Sequence, residues 1–245
     1  MTIGLHASAR FVVPPSTSTA SSKLLLLDVM DTLVADPFFR GVHQAMACIY
    51  NARSAPLATT LHSPPCMRCC QDLFGFGSVQ ELLAAKDQQS FTAFERGELS
   101  EAEHFATYFT DRRPVDGNLI REYMSRRYEW LPGMQELCTE LQGAGVPMAA
   151  MSNYPAPWAP LVEDAVGLSQ LVPWAFVSGD VGLRKPSPEA YLAALKAVGR
   201  RAEEVVFVDD SQANCDAARA LGIAAIRFES AAALRPELQR TGVLR

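Results

Sequence analysis

Short, wholly apolar runs that end at a polar residue recur along the chain and predict buried strands. The runs, with the polar residues that follow them, are Leu24–Leu27 with Asp28, Pro147–Met151 with Ser152, and Val205–Val208 with Asp209. Ile223–Phe228 is a fourth candidate strand. Apolar runs without polar alternation are typical of strands covered on both faces, as in a parallel sheet.

Helical patterns lie between these candidate strands. They cover Gly133–Gly143, Ser187–Val198 and Ala213–Leu221, and Gly222 ends the last of them. Alternating strands and helices predict an α/β fold with an open parallel sheet. Such sheets bind ligands at the carboxyl ends of their strands, where the polar residues named above lie.

Residues 41–129 have helical periodicity without a strong strand signal, which predicts a separate small lobe. The helical segments are Ser78–Lys86, Gln88–Glu95 and Ser100–Phe109. Residues 41–71 include an aperiodic stretch rich in Pro and Ser and predict a loop insertion. We therefore divide the chain into a core of residues 24–40 and 130–245, an inserted cap of residues 41–129, and an N-terminal segment of residues 1–23.

The N-terminal segment contains no Asp or Glu and is rich in Ser, Thr and Ala. This composition is typical of organellar transit peptides, and an ordinary disordered N-terminus is an equally good interpretation. The net charge of −5 argues against nucleic acid as the partner, because a phosphate backbone requires a basic surface. We expect no membrane segment, since no apolar run approaches the ~20 residues of a membrane span.

The cysteines predict free thiols in a reducing compartment rather than a disulfide framework. The six cysteines are Cys48, Cys66, Cys69, Cys70, Cys138 and Cys215. Three of them form the sequence C-x-x-C-C near Cys48 and His62, which are residue types that bind zinc. A second ligand pair at a standard spacing is missing, so a loop with free thiols is the preferred interpretation.

Polar residues of complementary chemistry follow the predicted strands. They are the carboxylates of Asp28, Asp209 and Asp210, the side chains of Ser152 and Asn153, and the ammonium group of Lys185. Facing carboxylates repel one another unless a hard divalent cation joins them. With a lysine to neutralise a phosphate oxygen, an aspartate at this edge can attack phosphorus. Each residue alone is more simply a helix cap or a surface charge, but their shared position favours a site.

Four segments in order resemble the four motifs of the haloacid dehalogenase-like superfamily. They are LLLLDVMDTLV, PMAAMSNYP, GLRKPSPEAY and VVFVDDSQANCDAARALGI. The segments FERGELSEAEHF and LPGMQELCTELQGAGV also resemble members with a helical cap, and the similarity covers about residues 24–40 and 72–228. The resemblance implies a Rossmann-like core with a parallel sheet and a helical cap inserted after the first motif.

The resemblance also implies a Mg²⁺-dependent phosphomonoester hydrolase. Asp28 would be the nucleophile that forms an aspartyl-phosphate. The implied substrate-binding residues are Thr32, Ser152, Asn153 and Lys185, with Lys185 as the phosphate clamp. The implied magnesium ligands are Asp28, Met30 through its backbone carbonyl, Asp209 and Asp210.

The first motif departs from the superfamily at Met30. Phosphatases of this superfamily have a second aspartate there, which protonates the leaving oxygen, and a thioether cannot donate a proton. Loss of a positioned acid costs about 10²–10⁴-fold on that step. Asp31 occupies the next position, where the superfamily usually has glycine, and our hypothesis is that it serves as a displaced acid.

The segment Asp28–Phe38 is similar to a plant-type, plastid branch of the superfamily whose characterised activity is hydrolysis of flavin mononucleotide (FMN). The resemblance implies FMN as substrate, riboflavin and phosphate as products, and a chloroplast location, with the cytoplasm as the alternative. Aromatic residues of the predicted cap could stack on a flavin ring, although helical spacing favours the cap's own core. These aromatic residues are Phe74, Phe76, Phe91, Phe94, Phe105 and Tyr108.

Two alternatives to a phosphatase remain open. A metal-independent dehalogenase also lacks the second aspartate, but the adjacent carboxylates of Asp209 and Asp210 would be costly without a cation. A catalytically weakened protein with a ligand-sensing or interaction role is consistent with Met30. The presence of Asp28, Ser152 and Lys185 argues against it.

Overall fold

The computed structural model describes residues 23–37 and 74–244 of the 245-residue chain. Its centre is a five-stranded parallel sheet with the strand order β3-β2-β1-β4-β5. The strands are β1 (Leu24–Leu27), β2 (Met148–Ser152), β3 (Trp174–Val177), β4 (Val205–Asp209) and β5 (Ala224–Arg227). The predicted α/β fold class with a parallel sheet is confirmed.

The central position of β1 in the sheet explains why its sequence is so apolar. It pairs with β2 on one side and β4 on the other, and all four of its leucines are at most 2 % exposed. The edge strands were less visible in the sequence. The fourth candidate, Ile223–Phe228, forms a shorter strand, and Trp174–Val177 was not among the candidates.

Ten α-helices lie in the described residues. They are α1 (Val79–Ala85), α2 (Gln88–Glu95), α3 (Glu101–Ala106), α4 (Gly117–Ser125), α5 (Met134–Gly143), α6 (Ala159–Val166), α7 (Ser178–Val181), α8 (Pro188–Val198), α9 (Gln212–Ala220) and α10 (Ala231–Arg240). The first five lie between β1 and β2, and we call residues 74–128, which contain the first four, the cap. Polar side chains begin these four helices, and Ser100 forms a capping box with Glu103 at α3.

Several sequence predictions fall outside the described residues. These are residues 1–22 of the N-terminal segment, the loop insertion at 41–71, and the cluster of Cys48, Cys66, Cys69, Cys70 and His62. The domain boundaries at residues 40/41 and 129/130 remain predictions. Within the described part of the chain, every helix is too short or too polar to cross a membrane.

The aromatic residues of the cap pack on one another and on one tryptophan of the core. Trp158 lies after β2, is 2 % exposed, and contacts Phe94 edge to face with their ring centroids 5.0 Å apart. Phe74 and Phe76 pack against Phe109 instead. These contacts make the aromatic residues the core of the cap and its seam with the sheet domain, as helical spacing favoured.

A buried histidine within this aromatic core makes stability depend on pH. His104 is fully buried, stacks on Phe94 at 4.6 Å, and shares a 2.9 Å hydrogen bond with Ser90. Burial and, to a lesser degree, the charge of the nearby Lys86 together lower the pKa of His104 to about 4. The unfolded chain therefore binds a proton that the folded chain excludes, so stability is lost as the pH falls from about 6.5 towards 4.

We expect His104→Phe to remove this part of the acid sensitivity. Wild-type protein should lose about 2 kcal/mol of unfolding free energy through His104 between pH 7 and pH 5. Urea unfolding at both pH values measures the loss for each protein. The difference between the two losses isolates His104, because the carboxylates titrate in both proteins. Equal losses would show that His104 is protonated in the folded state.

Candidate active site

The carboxyl ends of the central strands bring Asp28, Asp209 and Lys185 together. The Lys185 Nζ atom lies 2.6 Å from Asp28 Oδ1 and 2.7 Å from Asp209 Oδ2. It also donates to the backbone oxygen of Met151 at 3.0 Å. All three side chains are buried, and Asp28 is the most accessible at 7 % exposure. One ammonium group thus joins two carboxylates that would otherwise repel.

The backbone of Lys185 is fixed by Asn153, which follows β2. The Asn153 side-chain nitrogen donates to the Lys185 carbonyl at 2.9 Å, and its oxygen accepts from the Lys185 N–H at 2.8 Å. The carboxamide therefore uses both of its polar groups on one residue of another loop. Substrate binding by Asn153 remains a prediction, and the contacts add a positioning role.

We expect Asn153→Ala to lower turnover about tenfold while the chain stays folded, because Lys185 loses both backbone contacts. The measurement is kcat and KM on a phosphate ester, with a thermal unfolding curve for each protein. Asn118→Ala is the matched control, since Asn118 is exposed at the start of α4. A variant with wild-type kcat would refute the positioning role.

Asp209 is held by groups that the sequence analysis did not single out. Its Oδ1 atom accepts from the backbone N–H of Ser211 at 2.9 Å and from the Asn214 side chain at 2.9 Å. Asn214 lies in the first turn of α9, five residues beyond Asp209. The sequence signal that could have identified Asn214 is its position in the first helical turn after β4, because that turn faces the end of the strand.

The loop after β1 surrounds the candidate nucleophile. Thr32 is fully buried, and its hydroxyl donates to Asp28 Oδ2 at 3.3 Å. Asp31 has a φ of 57°, in the left-handed region, and its Oδ1 atom accepts from the Asp36 N–H at 3.1 Å. A left-handed residue explains why the superfamily usually has glycine at this position.

Ser152 ends β2 and is 1 % exposed. Its hydroxyl makes no hydrogen bond to any other residue in the described part of the chain. Buried hydroxyls are rarely left without a partner, and this one lies at the same sheet edge as Lys185 and Asp28. An oxyanion that binds at this edge would accept a hydrogen bond from the Ser152 hydroxyl.

Burial and charge act in opposite directions on this cluster. Burial raises the pKa of Asp28 above its usual range, since it outweighs the attraction of Lys185, and Asp209 adds to the rise. Burial alone would lower the pKa of Lys185, but the two carboxylates more than offset this and hold it above its usual range. The ammonium group therefore keeps its proton. The two carboxylates still favour the binding of a further cation at the cluster.

Asp210 completes a set of oxygen ligands. Single oxygen atoms of Asp28, Asp209 and Asp210 lie within 4.8 Å of one another. Carboxylate oxygens with no sulfur or nitrogen donor suit a hard cation such as Mg²⁺. The Arg227 side chain donates to the Asp210 carbonyl at 3.2 Å and supports its backbone. The residues present thus fit the predicted metal, and Met30 as a further ligand remains a prediction.

Comparisons with known proteins agree with this fold. A family model for haloacid dehalogenase-like hydrolases matches residues 23–222. The chain is 31 % identical over 220 residues to a chloroplastic flavin mononucleotide hydrolase of Arabidopsis thaliana, covering 90 % of this chain and 78 % of that protein. It is 32 % identical over 95 residues to a phosphoglycolate phosphatase of Pseudomonas savastanoi pv. phaseolicola, covering 39 % of this chain and 35 % of that protein.

A solved structure shares the fold. It is a HAD family enzyme of Bacteroides thetaiotaomicron in complex with magnesium and inorganic phosphate. The TM-score is 0.58 at 20 % identity, and the match covers 85 % of this chain and 95 % of that chain. The chain belongs to the haloacid dehalogenase-like hydrolase family, as the four motifs predicted.

Proposed function

We propose that the protein is a Mg²⁺-dependent phosphomonoester hydrolase that works through an aspartyl-phosphate on Asp28. The observation that carries the proposal is the buried cluster in which Lys185 bridges Asp28 and Asp209 beside Asp210. A carboxylate, an ammonium group and an acidic metal-binding set at one sheet edge are the parts that phosphoryl transfer requires.

In the first step, an Asp28 oxygen attacks phosphorus, and the bond between phosphorus and the ester oxygen breaks as the new bond forms. Lys185 and the hydroxyl of Ser152 would bind the phosphoryl oxygens and stabilise their charge. The three carboxylates would hold Mg²⁺, which supplies further charge neutralisation when bound. In the second step, water attacks phosphorus, the bond to Asp28 breaks, and phosphate leaves.

Asp31 is our candidate for the acid that protonates the leaving oxygen. It lies three residues beyond Asp28, and one of its two carboxylate oxygens accepts from the Asp36 N–H. We expect Asp31→Asn to slow hydrolysis of an alkyl phosphate about 10²-fold, because an alkoxide leaves poorly without a proton. The same variant should hydrolyse p-nitrophenyl phosphate at nearly the wild-type rate, since that leaving group needs no acid. Full turnover on both substrates would remove Asp31 from the mechanism.

The proposed substrate is FMN, which would give riboflavin and phosphate. Support comes from the similarity to the Arabidopsis hydrolase over most of both chains. We also propose a chloroplast location, supported by the same relative and by the acid-free composition of the first 23 residues. The sequence expectations of a small-molecule partner, and of neither nucleic acid nor membrane as partner, belong to the same proposal.

The test of this function is phosphate release by the purified full chain. FMN and a panel of other phosphate esters are supplied with Mg²⁺ or with EDTA. We expect Mg²⁺-dependent release with FMN among the preferred substrates. Release from other esters but not from FMN would keep the chemistry and reject the substrate.

The two alternative functions make different predictions in this assay. A metal-independent dehalogenase would release halide from a 2-haloacid in EDTA, but the clustered carboxylates of Asp209 and Asp210 disfavour it. A catalytically weakened protein would bind phosphate esters without turnover. Met30 favours that alternative, and the completeness of the buried cluster argues against it.

A further inference from the structure

The cap contacts the core close to the loop that carries Lys185. Glu95 is the last residue of α2, and its carboxylate lies 2.8 Å from the Arg184 guanidinium group. The Glu95 side chain is 9 % exposed, and that of Arg184 is 38 % exposed. Arg184 directly precedes Lys185, which joins the carboxylates of Asp28 and Asp209. An ion pair between cap and core therefore lies one residue from the candidate phosphate clamp.

The backbone of the same cap segment contacts the core through one serine hydroxyl and through a close approach of two glycines. The Ser178 hydroxyl donates to the Glu95 carbonyl at 2.6 Å and accepts from the Tyr154 N–H at 2.8 Å. Gly97 lies so close to Gly179 that an added Cβ atom would come within 2.3 Å of the Gly179 oxygen. The cap segment thus rests on the loops after β2 and β3.

The core side of this contact is rigidly placed. Asn153 fixes the backbone of Lys185, and three acceptors fix its Nζ atom. On the cap side, the buried Glu95 carboxylate depends on the Arg184 guanidinium group for compensation of its charge. Burial raises the pKa of Glu95 even with Arg184 beside it. A carboxylate buried to this degree is costly unless it is paired, so separating the two residues is unfavourable.

We propose that Glu95 and Arg184 are positioning residues that hold the cap in register over the phosphate site. Glu95 of the cap binds Arg184, and Arg184 belongs to the loop that is fixed around Lys185. The ion pair supplies orientation, and the glycine contact supplies close approach. The cap segment around Glu95 is thereby held at a fixed distance from the loop that carries Lys185.

The test uses Arg184→Gln, Glu95→Gln and the double variant in the full chain. Glu140→Gln is the matched control, because it breaks the Glu140–Arg235 ion pair between α5 and α10, which is half exposed and involves no cap residue. Hydrogen exchange is followed by mass spectrometry in peptides covering residues 94–99 and 178–184, with Mg²⁺ and inorganic phosphate present. Thermal unfolding establishes that each variant is folded.

We expect Arg184→Gln to speed exchange in both peptides about tenfold, since it leaves a buried carboxylate without its partner. Glu95→Gln should have a smaller effect, and the double variant should be no worse than Arg184→Gln. The control should match wild type. Unchanged exchange in Arg184→Gln, or an equal change in Glu140→Gln, would overturn the proposal.

The kinetic arm rests on the proposed function. We expect kcat for a phosphate ester to fall about tenfold in Arg184→Gln with KM changed by less than about threefold. If the role were purely structural, the unfolding temperature would fall without a selective fall in kcat at nearly constant KM. Faster exchange with wild-type kcat would also reject positioning. If wild type itself has no activity, the proposed function fails, and the exchange experiment still decides whether the ion pair holds the cap.

Discussion

Asp28→Asn is expected to reduce phosphate release by at least ~10⁴-fold, which is the scale seen when a covalent nucleophile is removed. The carboxamide is close in size to the carboxylate, so the site should keep its shape. It lacks the negative charge that attacks phosphorus, and Asp209 lies across Lys185 with its oxygens already bonded to Asn214 and Ser211. Asp209 is therefore not free to replace it.

Two further measurements make this prediction specific. Asp164→Asn is the matched control, because Asp164 is exposed on α6 and should leave kcat unchanged. Thermal unfolding of Asp28→Asn should show a folded protein, since Lys185 retains Asp209 as a partner. Turnover within tenfold of wild type in the folded variant would exclude Asp28 as the nucleophile.

Lys185→Met is expected to damage both stability and activity. It removes the ammonium group from between two buried carboxylates, and an uncompensated buried charge costs about 3–5 kcal/mol of unfolding free energy. Activity should fall about 10²–10³-fold, because a phosphoryl oxygen loses a cation aimed at its charge. Urea unfolding and steady-state kinetics measure the two losses.

The cause of the stability loss can be tested in the same experiment. Millimolar Mg²⁺ should restore part of the lost stability, since a cation takes over the screening of the carboxylates. The double variant Asp28→Asn/Lys185→Met should be more stable than Lys185→Met, because one of the two facing charges is gone. Lys196→Met, at an exposed position in the last turn of α8, should change stability by less than about 0.5 kcal/mol. A Lys185→Met protein as stable as this control would show that the bridge contributes little.

The centre of the sheet and the edge strand β5 could be predicted from the sequence, but the other edge strand, β3, could not. Leu24–Leu27 has no polar residue, and only a strand covered on both faces uses such a run. Trp174–Val177 lies at the edge beside β2, where Ala175 is partly exposed and the pairing register shifts. A four-residue edge strand has too little periodicity to stand out from its surroundings.

The helices likewise divide into ones that the sequence pattern predicted and ones that it did not. Gln88–Glu95 was predicted with the bounds that the structure has, because its apolar positions recur at helical spacing, and the structure adds an N-terminal cap by Asp87. Gly117–Ser125 was missed. It begins with glycine, a poor helix former, although its large apolar residues Leu119, Ile120, Tyr123 and Met124 recur at helical spacing.

The strand-end position of the site residues could be predicted, but their partners could not. Parallel strands place Asp28 and Asp209 at one edge, and that follows from the order of apolar runs. The two hydrogen bonds from Asn153 to Lys185 join different loops and depend on the folded geometry. The pairing of Glu95 with Arg184 depends on how the cap packs on the core, which no local pattern encodes.

The measurement that tests the account most directly is trapping of the covalent intermediate. Full-length protein with Mg²⁺ and a phosphate ester is quenched in acid during turnover, and its peptides are analysed by mass spectrometry. The account predicts a phosphoryl group on Asp28 in the peptide that contains β1, and none in Asp28→Asn. Steady phosphate release by wild-type protein with Asp28 unmodified at every quench time, or with the phosphoryl group on another residue, would contradict it.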